Sequence, residues 1–523
     1  MSGHDTQRRV VRAVGAIGLA TLASRVLGYV RDMVVAGAFG AGPTTDAFFV
    51  AYRIPNLLRR LLAEGALSTA IVPVFTEQLA TGTRADFARM VRAVTGAALV
   101  VLLLTVVLGA LASPWIVALL APGWSADRPL FDLAVRLTRV MFPYAALVAL
   151  AALASGLLNT HGRFFVAAFG PVVLNVAMIA AVLALAPRLE TPILALAIGV
   201  LVGGLGQLAI QLPAVRGLGV PLSPSAEWRH PAVRTIAGRL APAAFGLAAV
   251  HVTVVVNTLL ASLLPGGTVS YLYYADRVME FPLGVFGVAL ATAVLPTMSA
   301  QAARGERAAL VETLGFALRL SAFIALPAAA GLVAAGPPIV GLLFERGAFG
   351  SAEAAATARA LAGYAVGLPA FSVTRLAAQA FYAMGDTRTP VRVGMVTVAA
   401  NVGFALGLMW PLGHAGLALA SSLSAYVNAV LLLWLLRRRL GRLGGRAIAR
   451  SLARSAVGAV AVLVWCLVLV PAWDGAWSTA ARILLLLAAG ALVHLAVAAL
   501  LRAPELRALG ALVRRRASLP PSA

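Results

Sequence analysis

Residues 24–32 read SRVLGYVRD, and residues 45–68 read TDAFFVAYRIPNLLRRLLAEGALS. Both fall in stretches long and apolar enough to cross a bilayer. Yet the first carries Arg25, Arg31 and Asp32, and the second carries Asp46, Arg53, Arg59, Arg60 and Glu64. An ionised side chain at the bilayer centre costs about 2.5–3.5 kcal/mol even on lenient insertion scales. Such groups persist where they face a water-filled cavity or pair inside a helix bundle. The pattern therefore predicts an all-α membrane protein that handles something charged within the membrane.

Composition supports the membrane reading. The 523-residue chain is 61% hydrophobic and 12% charged, with mean hydropathy +0.93, whereas soluble chains are about 45–50% apolar. A spanning helix needs about 20 mostly apolar residues. Fourteen spans are predicted, over 10–38, 44–80, 88–112, 132–158, 164–187, 191–214, 234–264, 269–300, 309–335, 355–384, 391–411, 415–436, 452–471 and 477–501. A short interfacial helix is expected over 113–121, ahead of Pro122, and a kink at Pro55. Strand-type alternation is absent, which excludes a membrane β-barrel. The first apolar stretch follows Arg8, Arg9 and Arg12 without a clean cleavage site, so it is expected to remain as the first span.

The net charge is +23, and all 42 basic residues are arginine. The lack of lysine excludes a Walker A nucleotide loop and Schiff-base chemistry. The arginines fall between spans and read as topology signals rather than as a nucleic-acid surface, so no nucleic-acid partner is expected. Cys466 is the sole cysteine, which excludes intrachain disulfides and cysteine-cluster metal sites. The six histidines show no metal-ligand spacing, so no metal or cofactor is expected. His251 and His494 read as bundle residues, and Asn257 as packing or an ion ligand.

Alternate connections hold arginines: the N-terminus; Arg84, Arg89 and Arg92; Arg163; Arg216, Arg229, Arg234 and Arg239; Arg304 and Arg307; Arg388 and Arg392; the run from Arg437 to Arg454; and the tail cluster Arg514, Arg515 and Arg516. Arg128, Arg188 and Arg346 are the exceptions. An even span count with both termini cytoplasmic fits the positive-inside rule. The chain also repeats weakly: Pro143 matches Pro369 and Asn175 matches Asn401 at a shift of 226, while Arg53 matches Arg277 at a shift of 224. The repeat predicts parallel six-span lobes over 1–220 and 230–440, with 441–523 as an added helix pair and basic tail. Transporters often bind substrate near the midplane between such repeats.

Helical spacing places Asp46, Arg53 and Arg60 on one face, with Glu64 near it, and Arg25 with Asp32 on another. Asp276 and Glu280 stand four apart, and Arg277 and Glu280 three apart. Six arginines against five carboxylates leave a balance of one positive charge. Either the charges pair and lock helices together, or some arginines remain for an anionic substrate, whose phosphate their planar forks suit. The GxxxG pairs Gly199/Gly203 and Gly403/Gly407 predict close helix packing, and GDTRTP (385–390) a helix stop and restart.

The opening motifs, GAG, and the run on to STAIVPVF resemble the start of the MurJ (MviN) lipid II flippases. YYADRVMEFPLGVFGVALATAVLPTMS, FERGAF, FYAMGDTRTP and HAGLALASSLSA are similar to that family's later motifs, in order. The resemblance implies membership of the multidrug/oligosaccharidyl-lipid/polysaccharide exporter superfamily, with two six-helix lobes and two extra helices. It implies a transporter rather than an enzyme, in the bacterial plasma membrane. The implied substrate is lipid II, undecaprenyl pyrophosphate carrying a disaccharide-pentapeptide, and cell-wall synthesis proteins are implied partners. Arg25, Arg31, Arg59 and Arg277 are its implied substrate-binding residues. Asp32, Asp46, Arg53, Arg60, Glu64, Asp276 and Glu280 would support or gate them. The extra helices would hold the polyprenyl tail beside membrane lipids. Some members carry a sodium-site aspartate in the seventh span, where this chain has Asn257, so a coupling ion by that route is in doubt. Alternatives are a flippase for another polyprenyl-linked oligosaccharide, a drug/cation antiporter of the same superfamily, or a scaffold for wall synthesis.

Overall fold

The computed structural model describes residues 3–61, 67–220, 223–472 and 479–507, with side chains in these except at 3–17, 60–61, 67–69, 241–250, 470–472 and 479. Helices dominate, and the only bridge pairing among the described residues joins Arg346 to Phe349. The chain divides into two compact units, 1–270 with 346–349, and 271–345 with 350–523.

The first unit holds α1 (Gly3–Phe39), α2 (Pro43–Leu61), α3 (Leu67–Thr81), α4 (Arg84–Leu111), α5 (Ser113–Leu120), α6 (Arg128–Met141), α7 (Pro143–Thr160), α8 (Phe164–Leu185), α9 (Leu194–Ala209), α10 (Leu212–Arg216) and α11 (Pro231–Ala261). The expected interfacial segment is α5, and α2 stays helical through Pro55. α4 starts at a reciprocal cap in which the Thr83 hydroxyl accepts from Asp86 N, and Thr83 N donates to the Asp86 carboxylate. α6 ends at Phe142, and Pro143, which needs no amide partner, opens α7. α9 packs on α8 where both glycines of the first GxxxG pair are required. A Cβ on Gly203 would lie 2.6 Å from Leu174 Cδ1, and one on Gly199 would lie 2.9 Å from Ala181 Cβ. α11 belongs to this unit and packs on α3, although the sequence repeat opens its second half at 230.

The second unit holds most of α12 (Thr268–Pro282), then α13 (Ala289–Ala303), α14 (Arg307–Ala334), α15 (Gly336–Phe344), α16 (Ser351–Ala365), α17 (Leu368–Ala383), α18 (Arg388–Leu412), α19 (His414–Leu440), α20 (Gly445–Ala472) and α21 (Thr479–Leu500). Residues Leu283–Val288 form a π-helical turn between α12 and α13. Pro282 removes an amide donor there, which favours the wider turn. The internal wiring matches the first unit: α7 packs on α3, α4 and α9, and α17 packs on α13, α14 and α19. The matched asparagines are both buried, Asn175 in α8 and Asn401 in α18.

The second GxxxG pair departs from expectation. Gly403 and Gly407 have no neighbour within 4 Å of a built Cβ. α18 instead buries Asn401, Ala405 and Met409, a stripe at four-residue spacing that turns the glycines away. GDTRTP does stop and restart the helix. Asp386 accepts from the amides of Arg388 and Thr389, the Thr389 hydroxyl at 2.6 Å, and Arg439 at 2.6 Å. These contacts, the Thr389 hydroxyl first, hold its carboxyl down at about 2.

Ten helices among the described residues are long and apolar enough to span a membrane, or eleven with α16 and α17, which are bent by 42°, taken together. The other three expected spans coincide with α1, with α2 and α3, and with α11. These carry embedded charges or side chains outside the described set. Exposed leucines and valines such as Leu103, Leu111, Val457, Val464, Leu484 and Leu492 would be a liability in water and suit a lipid surround. Cys466, in α20, is 1% exposed.

Candidate substrate-binding site

In the first unit, α1 and α8 meet around one charged cluster. Arg31 is buried, and it donates to Asp32 Oδ1 through Nε (3.0 Å) and Nη2 (2.7 Å) and to Asn175 Oδ1 through Nη1 (3.1 Å). Asn175 Nδ2 donates in turn to Ser24 O. Gly28 faces Asn175, and a Cβ there would sit 3.8 Å from Asn175 Nδ2, an ordinary contact distance. Adjacent helix residues point apart, but the long arginine side chain folds back across its own helix. Arg25 shares a helical face with Asp32 by spacing, yet Arg25 is exposed while Asp32 is covered.

On α2, the aromatic rings of Phe48 and Tyr52 stack at 5.7 Å. Arg53 and Arg59 are half-buried, and Arg59 Nε donates to Asn56 at 3.0 Å. Arg60 falls in the last turn of α2 with its side chain outside the described set, and Glu64 lies outside the described residues. Asp46 is 2% exposed and holds the start of α12. It accepts from Gly267 N (2.7 Å), Ser270 N (2.8 Å) and the Ser270 hydroxyl. A carboxylate there satisfies amides that have no partner within α12 and meets the positive end of its dipole. Asp46 thus reaches a helix start rather than the arginines of its own face. Asn257, on α11, is half-buried.

In the second unit, α12 presents Asp276, Arg277 and Glu280, all half-buried. Arg277 Nη1 pairs with Glu280 Oε2 at 2.9 Å, and its guanidinium lies 5.3 Å from the Tyr273 ring centroid. Side-chain exposure is 31% for Arg277 and 43% for Glu280, so neither is enclosed.

Arg375 and a charged row on α6 were not among the candidate site residues read from the sequence, where Arg128 appeared only as an exception to the loop-charge pattern. Arg375, on α17, is exposed and within electrostatic reach of Glu280. On α6, Arg128, Asp132, Arg136 and Arg139 form an exposed row, with Arg139 donating to Ser113. The spacing of that row by four, four and three residues was visible, but the apolar average of the predicted span at 132–158 concealed it.

Among known sequences, the model of a family described as "Lipid II flippase MurJ" matches residues 35–488. A protein of Burkholderia cenocepacia named "Lipid II flippase MurJ" is 40% identical over 437 residues, covering 82% of this chain and 84% of that one. A Vibrio cholerae protein named "Probable lipid II flippase MurJ" is 38% identical over 432 residues, covering 81% and 82%. A solved structure titled "Lipid II flippase MurJ, inward closed conformation" superposes with TM-score 0.77 at 23% identity, covering 92% of this chain and 98% of that one. An inward-facing multidrug resistance MATE transporter superposes with TM-score 0.63 at 16% identity, covering 83% and 99%. At those identities the structural matches speak for the fold.

Proposed function

We propose that the chain, which belongs to the MurJ lipid II flippase family, moves lipid II across the membrane by gripping its pyrophosphate with membrane-level arginines. It is a multi-pass membrane protein. The observation that carries the reading is the state of those arginines. Arg25 is exposed, Arg59 is half-buried beside Asn56, and Arg277 is 31% exposed beside Glu280. The planar guanidinium fork suits a diphosphate, and the exposure of Arg25 and the partial exposure of Arg277 leave these two accessible. Arg31 is the exception: it is buried against Asp32 and Asn175 and serves the substrate only if that cluster opens.

The cycle is alternating access between lobes 1–220 and 230–440. Inward opening lets Arg25, Arg59 and Arg277 capture the headgroup, and outward opening releases it to wall synthesis. Asp32, Arg53, Arg60, Glu64, Asp276 and Glu280 balance these charges, and Asp46 acts as a gate through the start of α12. The polyprenyl tail follows the apolar faces of α20 and α21, where Val457, Val464, Leu484 and Leu492 are exposed. No covalent step is needed. Both termini lie in the cytoplasm of a bacterial inner-membrane protein, and a potential positive outside favours return of the empty cationic site. Asn257 in place of an aspartate argues against sodium coupling through the seventh span.

The test is complementation of a strain depleted of its own lipid II flippase, read as lipid II accessibility outside the cell. Wild type should restore it, and Arg25→Ala and Arg277→Ala should reach the membrane folded yet fail. Variants that fold and transport normally would overturn the assignment. A drug/cation antiporter would tolerate these changes, and a flippase for another polyprenyl-linked sugar would complement only its own pathway.

A further inference from the structure

We propose that the first unit binds an anionic membrane phospholipid in a groove beside α1, with Arg346 on the lipid phosphate. The groove encloses about 650 Å³ and is lined by Val34, Gly37 and Phe39 of α1, by Leu183 and Pro187 at the end of α8, and by Arg346. All of these residues belong to one compact unit. The volume is in the range of ligand pockets, about 300–1,000 Å³. Its wall is hydrocarbon except for one guanidinium, which suits a long apolar chain ending in a single anion. Leu183 is 64% exposed, so the groove opens on the lipid-facing side of a membrane protein.

The arginine is placed by backbone geometry. Ala348 N donates to Gly37 O at 2.8 Å, and a Cβ on Gly37 would lie 3.1 Å from Arg346 Cγ. Gly347 has φ +56, and a Cβ there would lie 2.2 Å from Gly37 O. Two glycines thus let the 346–349 turn lie against α1 and lay the Arg346 side chain across it. Arg188 follows Pro187 of the lining and donates to Ala184 O, and both arginines are exposed. Both are also among the three loop arginines that the alternation of charge along the chain leaves without a topological role. A guanidinium has five donors, so a partner within the protein leaves others for phosphate oxygens. Under the orientation proposed above, the bound lipid sits in the outer leaflet; the lipid class does not depend on that orientation.

Native mass spectrometry of the purified full chain tests this, with phosphatidylglycerol and phosphatidylcholine of identical acyl chains offered in equal amounts. Wild type should retain phosphatidylglycerol several-fold over phosphatidylcholine. Arg346→Ala should lose that preference, Arg346→Lys should keep most of it, and Val34→Trp, which fills the groove, should lower retention of both lipids. Equal retention by wild type, or an unchanged preference in folded Arg346→Ala, would overturn the proposal. So would displacement of phosphatidylglycerol by undecaprenyl phosphate, which would give the groove to the substrate chain. A photoactivatable phosphatidylglycerol tests the wild-type chain directly: adducts within 30–39 or 182–192 support the site, and adducts only elsewhere refute it.

Discussion

At the scale of the residue, two membrane-level arginines on one helix carry different energies. Arg31 is 7% exposed and Arg25 is exposed. Breaking a buried ion pair by removing one partner leaves an uncompensated charge and costs about 3–5 kcal/mol. Arg31→Ala should therefore depress the melting temperature and the folded yield. Arg31→Ala with Asp32→Ala should restore part of that loss, whereas Arg25→Ala should fold normally and lose transport. If the two single variants melt alike, the distinction fails. Outside the membrane, Asp386 gives a pH prediction. Its folded carboxyl titrates near 2, below the ordinary 3.8, so its contribution is complete above about pH 4 and is lost as the pH falls through 2. Melting curves of Asp386→Asn should lack that acid-side component. Neither the Arg31–Asp32 pair nor its asparagine was legible in the sequence. Spacing rules treat helix neighbours as divergent, and they take no account of a side chain long enough to fold back or of α8 closing over it.

At the scale of the element, helix existence was readable because length and hydropathy decide it, and the internal repeat anticipated matched wiring around α7 and α17. Motif similarity did less well. Two GxxxG pairs look alike in sequence, but only Gly199/Gly203 meets a partner helix, because burial of Asn401, Ala405 and Met409 sets the other rotation. Gly203→Ala should cost about 1–3 kcal/mol through overpacking against Leu174. Gly407→Ala should be neutral or stabilising by up to about 1 kcal/mol, since alanine is the better helix former. Detergent-resistance or thermal melting of the two variants gives the comparison, and equal destabilisation would contradict it. The charged row on α6 and Arg375 on α17 were missed for a related reason. A window average reports a span's mean, while function depends on which face holds the exceptions.

At the scale of the whole molecule, Asp46 holds Ser270 at the start of α12, and Arg277 stands two turns further along the same helix. Asp46→Ala should leave the Gly267 and Ser270 donors without their acceptor and reduce transport, with a stability cost of about 0.5–2 kcal/mol typical of a lost cap. Asp46→Asn, which keeps an acceptor but not the charge, should fall between wild type and alanine in the same lipid II accessibility readout. Wild-type transport with Asp46→Ala would remove it from the cycle.

The seclusion of Cys466, the sole thiol, has a practical result. Toward membrane-impermeant maleimides the natural chain should behave as a cysteine-free background. Paired nitroxides on introduced cysteines can then yield interspin distances by pulsed electron resonance, and the amplitude of rocking during turnover becomes measurable on an otherwise unaltered protein.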